Sequence, residues 1–327
     1  MAILFHGTTL SELIPGEINS ANHALLTTAA RIAPYCAEGV SVGGGEGTGI
    51  SCEFTASSEI WVSFYTYEFT SGTNFPLLDV LSAGVPLFQL DRDSTTTIAM
   101  EYWNGSAWVE IAADSSFVSA VRYRIDVHIK IDNTVGIIDW YVDGILRDSF
   151  SGDTLYTAAT TVDKVVLRAT TTAGLPSGNF SAIIIADEDT RDMIYSQTPV
   201  DGAGAETDWS GAYTAIDETG VNDADFIQST TAGQRATFSF GNLHADFATG
   251  YDVVGVGVSA RGSRGASGPA NLKPLVRSGT TNGEGDPTAM DLTWKPARHF
   301  FALNPATTAA FTVSEVDSAQ IGVRSAA

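Results

Sequence analysis

The 327-residue sequence predicts an all-β fold, two β-sandwich or jelly-roll domains in tandem. Three observations predict it. Val121, Tyr123, Ile125, Val127, Ile129 and Ile131 alternate with Arg122, Arg124, Asp126, His128 and Lys130. A period of two is that of an extended strand with one apolar and one polar face, and such clean alternation belongs to antiparallel sheets with one wet side. Turn pairs punctuate the apolar runs: Asn104-Gly105 between Ile98–Trp103 and Ser106–Ile111, and Asp143-Gly144 between Trp140–Val142 and Ile145-Leu146. Asn-Gly and Asp-Gly supply the positive φ of a type I′ hairpin turn at low cost. Finally, no amphipathic run of about ten residues or more has helical spacing.

In chain order, further strands are expected at Ile60–Phe69, Val165–Arg168, Phe180–Ile185, Ala236–Phe240, Val253–Ala260, Leu272–Ser278 and Ala319–Val323. Short helical turns fit Leu10–Ile14 and Glu315–Gln320, the second capped by Ser314. Gly43–Gly49 reads as a loop between strands, since it matches neither G-x-G-x-x-G nor a phosphate loop. A turn-rich stretch near 195–205 marks a boundary. Residues 1–195 carry 24 acidic and 9 basic groups, and residues 196–327 carry 14 and 8. The expected domains are therefore 1–195 and a smaller 196–327, each large enough for its own core.

Composition excludes several classes. With 44% hydrophobic and 17% charged residues, the chain has ample apolar surface to fold. A net charge of −21 repels phosphate backbones, so no nucleic-acid partner is expected. No segment approaches the roughly 18 apolar residues of a membrane helix, so no membrane insertion is expected. The start, MAILFHGTTL, has no basic n-region and reads as lacking a Sec-type signal. Cys36 and Cys52 are too few for a disulfide scaffold; they read as buried thiols or as a single bridge.

The search for chemistry is largely negative. A nucleophile elbow is absent, Ser263 having the wrong spacing. His6, His23, His128, His244 and His299 form no metal-ligand spacing, and no cofactor motif is present. A glycosidase needs two carboxylates held about 5–10 Å apart. Asp126 stands alone on its strand face between Arg124 and His128, while Asp91/Asp93 and Asp187/Glu188/Asp189 read as solvated turn carboxylates. No catalytic residue is assigned and no enzyme is expected. Asp187, Asp189 and Asp192, or Asn222, Asp223 and Asp225, could gather oxygens around Ca²⁺, but neither fits an EF-hand and no metal is assigned. Two features remain. Trp103 and Trp108 flank a turn and offer flat faces for sugar stacking. Arg261 and Arg264 sit in a glycine-rich loop of an acidic chain, where they suit an acidic surface of a neighbouring subunit.

Residues from about 50 to 195 resemble a concanavalin A-like, laminin-G-type jelly roll. The resemblance is carried by Trp61-Val62-Ser63-Phe64-Tyr65, the alternation Tyr123–Ile131, and Trp140–Leu146. The C-terminal part is similar to modules of virion structural proteins of tailed bacteriophages, on Thr207–Gly211, Asn222–Phe226, Tyr251–Arg261, Leu272–Ser278, Asn304–Phe311 and Ile321–Arg324. What this resemblance implies is a non-enzymatic structural protein of a tailed phage particle, assembled in the host cytoplasm. It would sit on the head surface or the tail, against capsid or tail subunits, as a homo-oligomer such as a trimer. The alternative is a carbohydrate-binding module of the virion that recognises a host-surface glycan. A glycan-degrading enzyme ranks third.

Overall fold

The computed structural model describes residues 2–7, 23–26, 39–42, 49–67, 75–94, 96–114, 121–168, 179–218, 222–243, 245–248 and 250–327. Contacts divide the chain into two compact units, one ending at Tyr195 and the other formed chiefly by Ser196–Ala327. Both are built of antiparallel sheet.

The first unit contains β1 (Ile3–Gly7), β2 (His23–Leu26), β3 (Gly39–Val42), β4 (Gly49–Ser57), β5 (Glu59–Tyr67), β6 (Phe75–Ser82) and β7 (Val85–Arg92). It continues with β8 (Ile98–Trp103), β9 (Trp108–Asp114), β10 (Tyr123–Lys130), β11 (Gly136–Val142), β12 (Ile145–Gly152), β13 (Val162–Arg168) and β14 (Asn179–Ala186). Sheet one runs β12-β11-β10-β5-β14-β3-β2, with β1 also on β14, and sheet two runs β4-β13-β6-β7-β8-β9. Neighbours distant in sequence, such as β5 with β14 and β13 with β6, give the crossing connections of a jelly-roll sandwich.

Alternation decides what each sheet buries. Val62, Phe64, Ile125, Val127 and Trp140 point inward from sheet one; Leu78, Val80, Phe88, Leu90 and Met100 do so from sheet two. Tyr156 joins the layers, its ring 3.6 Å from that of Tyr102 and 6.4 Å from that of Phe150. Cys52 is buried in β4, whereas Cys36, the Leu10–Ile14 turn, His244 and most of the Gly43–Gly49 run lie outside the described residues.

Two turns differ in an instructive way. Asp143 and Gly144, at φ 49° and 76°, join Val142 to Ile145 as a two-residue hairpin, as their sequence predicts. Asn104-Gly105 does not: Trp103 pairs with Trp108, leaving a four-residue loop, and of the two only Gly105 has positive φ, 96°. The Asn104 side chain is the cause. Its Oδ1 accepts the backbone N–H groups of Ser106 at 3.0 Å and Ala107 at 2.9 Å, an arrangement that competes with the type I′ turn.

The polar face of β10 also departs from expectation. It is covered rather than wet, with Asp126 0% and His128 7% exposed. The segment that follows β14 crosses this face. Arg124 Nη1 donates to the Met193 carbonyl at 2.8 Å and Nη2 to that of Thr190. Ser63 donates to Asp126 and shares a hydrogen bond with the Thr190 hydroxyl. Arg124 Nε lies 3.0 Å from Asp126, so the buried carboxylate is paired. Alternation reported polarity correctly; exposure depended on a segment some sixty residues away in sequence.

The second unit contains β15 (Val200–Thr207), β16 (Arg235–Phe240), β17 (Val256–Gly262), β18 (Asn271–Ser278), β19 (Thr281–Glu284), β20 (Thr288–Ala289), β21 (Lys295–Phe301) and β22 (Gln320–Ala326). One sheet runs β15-β16-β22-β18-β19 with β20 on β18, and β17 pairs with β21. Phe240, Val258, Val276, Phe301, Phe311 and Val316 form one core cluster. The helix α1 (Val313–Ser318) is capped by Thr312, not Ser314. Thr312 Oγ1 accepts from Glu315 N at 3.2 Å and Glu315 accepts from Thr312 N at 2.8 Å, a reciprocal capping box.

Candidate functional site

Trp103 and Trp108 close the β8–β9 hairpin directly opposite one another. Their rings meet edge to face, with centroids 5.4 Å apart at 66°, and both side chains stay half-buried, so indole surface remains accessible. Period two carries more polar groups to the same face. Glu101 lies two residues before Trp103, Glu110 two residues after Trp108, and the two glutamates are cross-strand partners. Glu101 pairs in turn with Gln89 of β7, and Gln89 with Asp79 of β6. Asp79, Gln89, Glu101 and Glu110 thus form a row across sheet two, buried at Asp79 and Gln89 and accessible at Glu101 and Glu110, with two indoles at its hairpin end.

The row is strongly acidic. Like charges directly opposite each other in a sheet are destabilising, and Glu101 faces Glu110. Gln89 Nε2 donates to Glu101. Asp79 is bound by Arg168, and its other carboxylate oxygen is buried without an acceptor or donor partner. Asp91, at the far end of β7, is buried rather than a solvated turn carboxylate, and its strand was missed in the sequence. Carboxylate oxygens of Asp91, Asp93 and Glu101 lie within 4.8 Å of one another. Burial first, then the charges of Glu101 and Asp93, push the Asp91 carboxyl up to about 7, against the pull of the Arg92 backbone N–H. Burial raises Glu101 as well, against its hydrogen bond from Gln89. Near neutrality Asp91 therefore both donates and accepts hydrogen bonds. Asp91 and Glu101 can share a proton, and the three carboxylates have the oxygens to gather around a divalent cation.

Arg261 lies on β17 with Nε and Nη2 bound to Asp223 at 2.8 and 2.9 Å, so its guanidinium is engaged within its own unit. Arg264 is exposed, and its backbone N–H donates to Asp291. In the possible Ca²⁺ groups, Asp189 pairs with Arg191 and Asp223 with Arg261. His128 stacks on Trp61 at 4.2 Å and bonds Glu59 at 2.9 Å; Arg191 lies 5.0 Å over the Trp61 ring and 4.5 Å over that of Tyr141. This second aromatic group is thus capped by the chain itself. Sequence reasoning missed Gln89, Glu101 and Glu110 and misread Asp91, yet the row had a partial signal. The spacing Glu101-x-Trp103 and Trp108-x-Glu110 already places carboxylates and indoles on one strand face.

No family model matches the chain, and no curated protein matches it. Solved structures similar to it include the galectin LEC-6 of Caenorhabditis elegans, at 12% identity and TM-score 0.33, covering 42% of this chain and 91% of that one. A sialidase carbohydrate-binding module (CBM40) of Ruminococcus gnavus bound to α2,3-sialyllactose is similar at 16% identity and TM-score 0.31, covering 41% and 78%. A mutant Trypanosoma rangeli sialidase with trans-sialidase activity is similar at 14% identity and TM-score 0.38; 59% of this chain spans 34% of that enzyme. What these proteins bind or cleave is a property of theirs.

Proposed function

We propose that the chain is a carbohydrate-recognition protein, and that the outer face of sheet two is its binding surface. The carrying observation is the placement of two half-exposed indoles beside Glu101 and Glu110 on one face, with the buried Gln89 holding Glu101 from behind. An indole offers a flat apolar surface to the C–H face of a pyranose, while carboxylate and amide oxygens accept hydrogen bonds from its hydroxyls. Stacking and charge-assisted acceptors at that spacing are what a sugar needs and what an apolar ligand does not. The reading is tested by titrating the full chain with oligosaccharides while recording tryptophan fluorescence. Saturable quenching that is lost in Trp103→Ala and Trp108→Ala supports it; an unchanged spectrum across neutral, amino and acidic sugars refutes it.

A second reading, glycoside hydrolysis, is favoured by one observation: Asp91, pushed to about 7, has Glu101 beside it within 4.8 Å. A carboxyl protonated near neutrality next to another carboxylate is an acid–base pair. Release of reducing ends from a bound glycan, abolished in Glu101→Gln, would establish it. A place in a tailed-phage particle, with this face turned to a host glycan, is the proposal that the sequence resemblance adds. Mass spectrometry of purified particles tests it, and absence of the chain there removes it.

A further inference from the structure

We propose that the polar face of the six-stranded sheet in the second unit binds an acidic polysaccharide through Arg235, Arg324 and Lys273. The chain carries a net charge of −21, yet these three cations stand abreast. Arg235 of β16 is the register partner of Arg324 of β22, which is the partner of Lys273 of β18. Adjacent strands lie about 4.8 Å apart, so the row is about 10 Å wide. Arg277 projects from the same face four residues further along β18.

Like charges abreast repel, and one carboxylate serves the row of three. Glu284 of β19 serves all three: Arg235 Nη2 at 2.9 Å, Lys273 Nζ at 3.5 Å, and Arg324 Nη1. Glu206 meets Arg277 at 3.4 Å, and Asp208 at the rim accepts the Arg235 backbone N–H. Asp201, bound to Ser239 at 2.7 Å, brings the carboxylates of the face to four against four cations, but the three cations that stand abreast share Glu284. The side chains of Arg235, Arg324 and Lys273 keep 33%, 31% and 25% of their surface exposed. Among the described residues, no acceptor meets Arg235 Nη1 or Arg324 Nη2. Guanidinium donors remain available for a carboxylate or sulfate.

The rest of the face selects the kind of anion. Ser239, Gln320 and Asn282 are polar but already bonded within the unit, to Asp201, to Ala205 N and Thr237, and to Glu206 and Arg277, so the row of cations is what meets a ligand. The exposed large apolar residues of this unit, Phe226, Tyr251, Leu292 and Leu303, lie off β16, β18 and β22. A protein partner would want an apolar or aromatic anchor, and a single-stranded nucleic acid would want rings for stacking. A linear saccharide bearing carboxylates or sulfates needs neither. At 0.15 M salt the Debye length is about 8 Å, so distant acids of the chain are screened while contacts in the row persist.

The full chain is titrated at physiological salt, by calorimetry, with polygalacturonate, dextran sulfate, fully methyl-esterified polygalacturonate and single-stranded DNA. One or both acidic polysaccharides should bind, and the neutral ester should not. The triple variant Arg235→Gln/Lys273→Gln/Arg324→Gln should bind at least about tenfold more weakly, the size of one lost charge-assisted bond. Glu284→Gln, which removes the competing carboxylate, should bind more tightly. It keeps the test decisive if melting curves show the triple variant unfolded. Lys295→Gln, which removes a cation of β21 outside the row, should bind acidic polysaccharide unchanged, which separates the row from positive charge in general. The proposal falls if neither acidic polysaccharide binds, if the ester or the DNA binds as tightly, if Glu284→Gln gives no tightening, or if Lys295→Gln weakens binding as much as the triple variant.

Discussion

Replacing Asp91 by asparagine removes a carboxyl that titrates near neutrality. Burial, then Glu101 and Asp93, raise it from an ordinary 3.8 to about 7. Between those values the folded chain holds a proton that the unfolded chain releases. The stabilisation is therefore fully present below 3.8 and is lost as pH rises through about 7. At 1.36 kcal/mol per pH unit the rise corresponds to at most about 4 kcal/mol, and some solvent access at this face brings the expected effect to about 2–4 kcal/mol. Asparagine has the shape of the protonated acid and no charge to develop. Urea unfolding of both proteins, followed by tryptophan fluorescence, should give similar stabilities near pH 4.5. By about pH 8.5 wild type should have lost about 2–4 kcal/mol relative to Asp91→Asn. Glu101→Gln, which removes one of the charges holding the proton on Asp91, should move the loss to lower pH. A wild-type-minus-variant difference that stays constant across that range would show that these carboxyls do not share one buried site.

Other substitutions separate the face from its scaffold. Trp103→Ala and Trp108→Ala should each weaken sugar binding by about tenfold while shifting the melting temperature little, because both indoles are half-exposed at a hairpin end. Arg124→Met should cost about 3–5 kcal/mol in urea unfolding, since it strands the fully buried Asp126 and frees the carbonyls of Thr190 and Met193. Thr312→Ala should cost about 1 kcal/mol by removing the capping box of α1, whereas Ser314→Ala should cost little.

How much of this was legible follows from which signals are local. The strand Tyr123–Lys130 and the Asp143-Gly144 hairpin were plain, because side-chain period and turn φ are fixed by neighbouring residues. Strands β6 and β7 were not. Phe75–Ser82 begins with Phe-Pro, Val85–Arg92 ends in Asp-Arg, and their turn is Ala83-Gly84 at φ 47° and 82°, with alanine where glycine or asparagine is the usual signal. Missing β7 hid Gln89 and Asp91, and so hid the acidic row. The covering of Asp126 was equally invisible, because Thr190 and Met193 reach it only through tertiary packing. Trp103 and Trp108 were legible as a pair for the opposite reason: a short hairpin forces them together.

A glycan microarray probed with wild type and with the Trp103→Ala/Trp108→Ala double variant bears most directly on the face of sheet two. Wild type should light a coherent set of sugars, and the folded double variant should lose them. A blank array for wild type, or the same pattern from both proteins, would contradict a sugar-binding role for that surface.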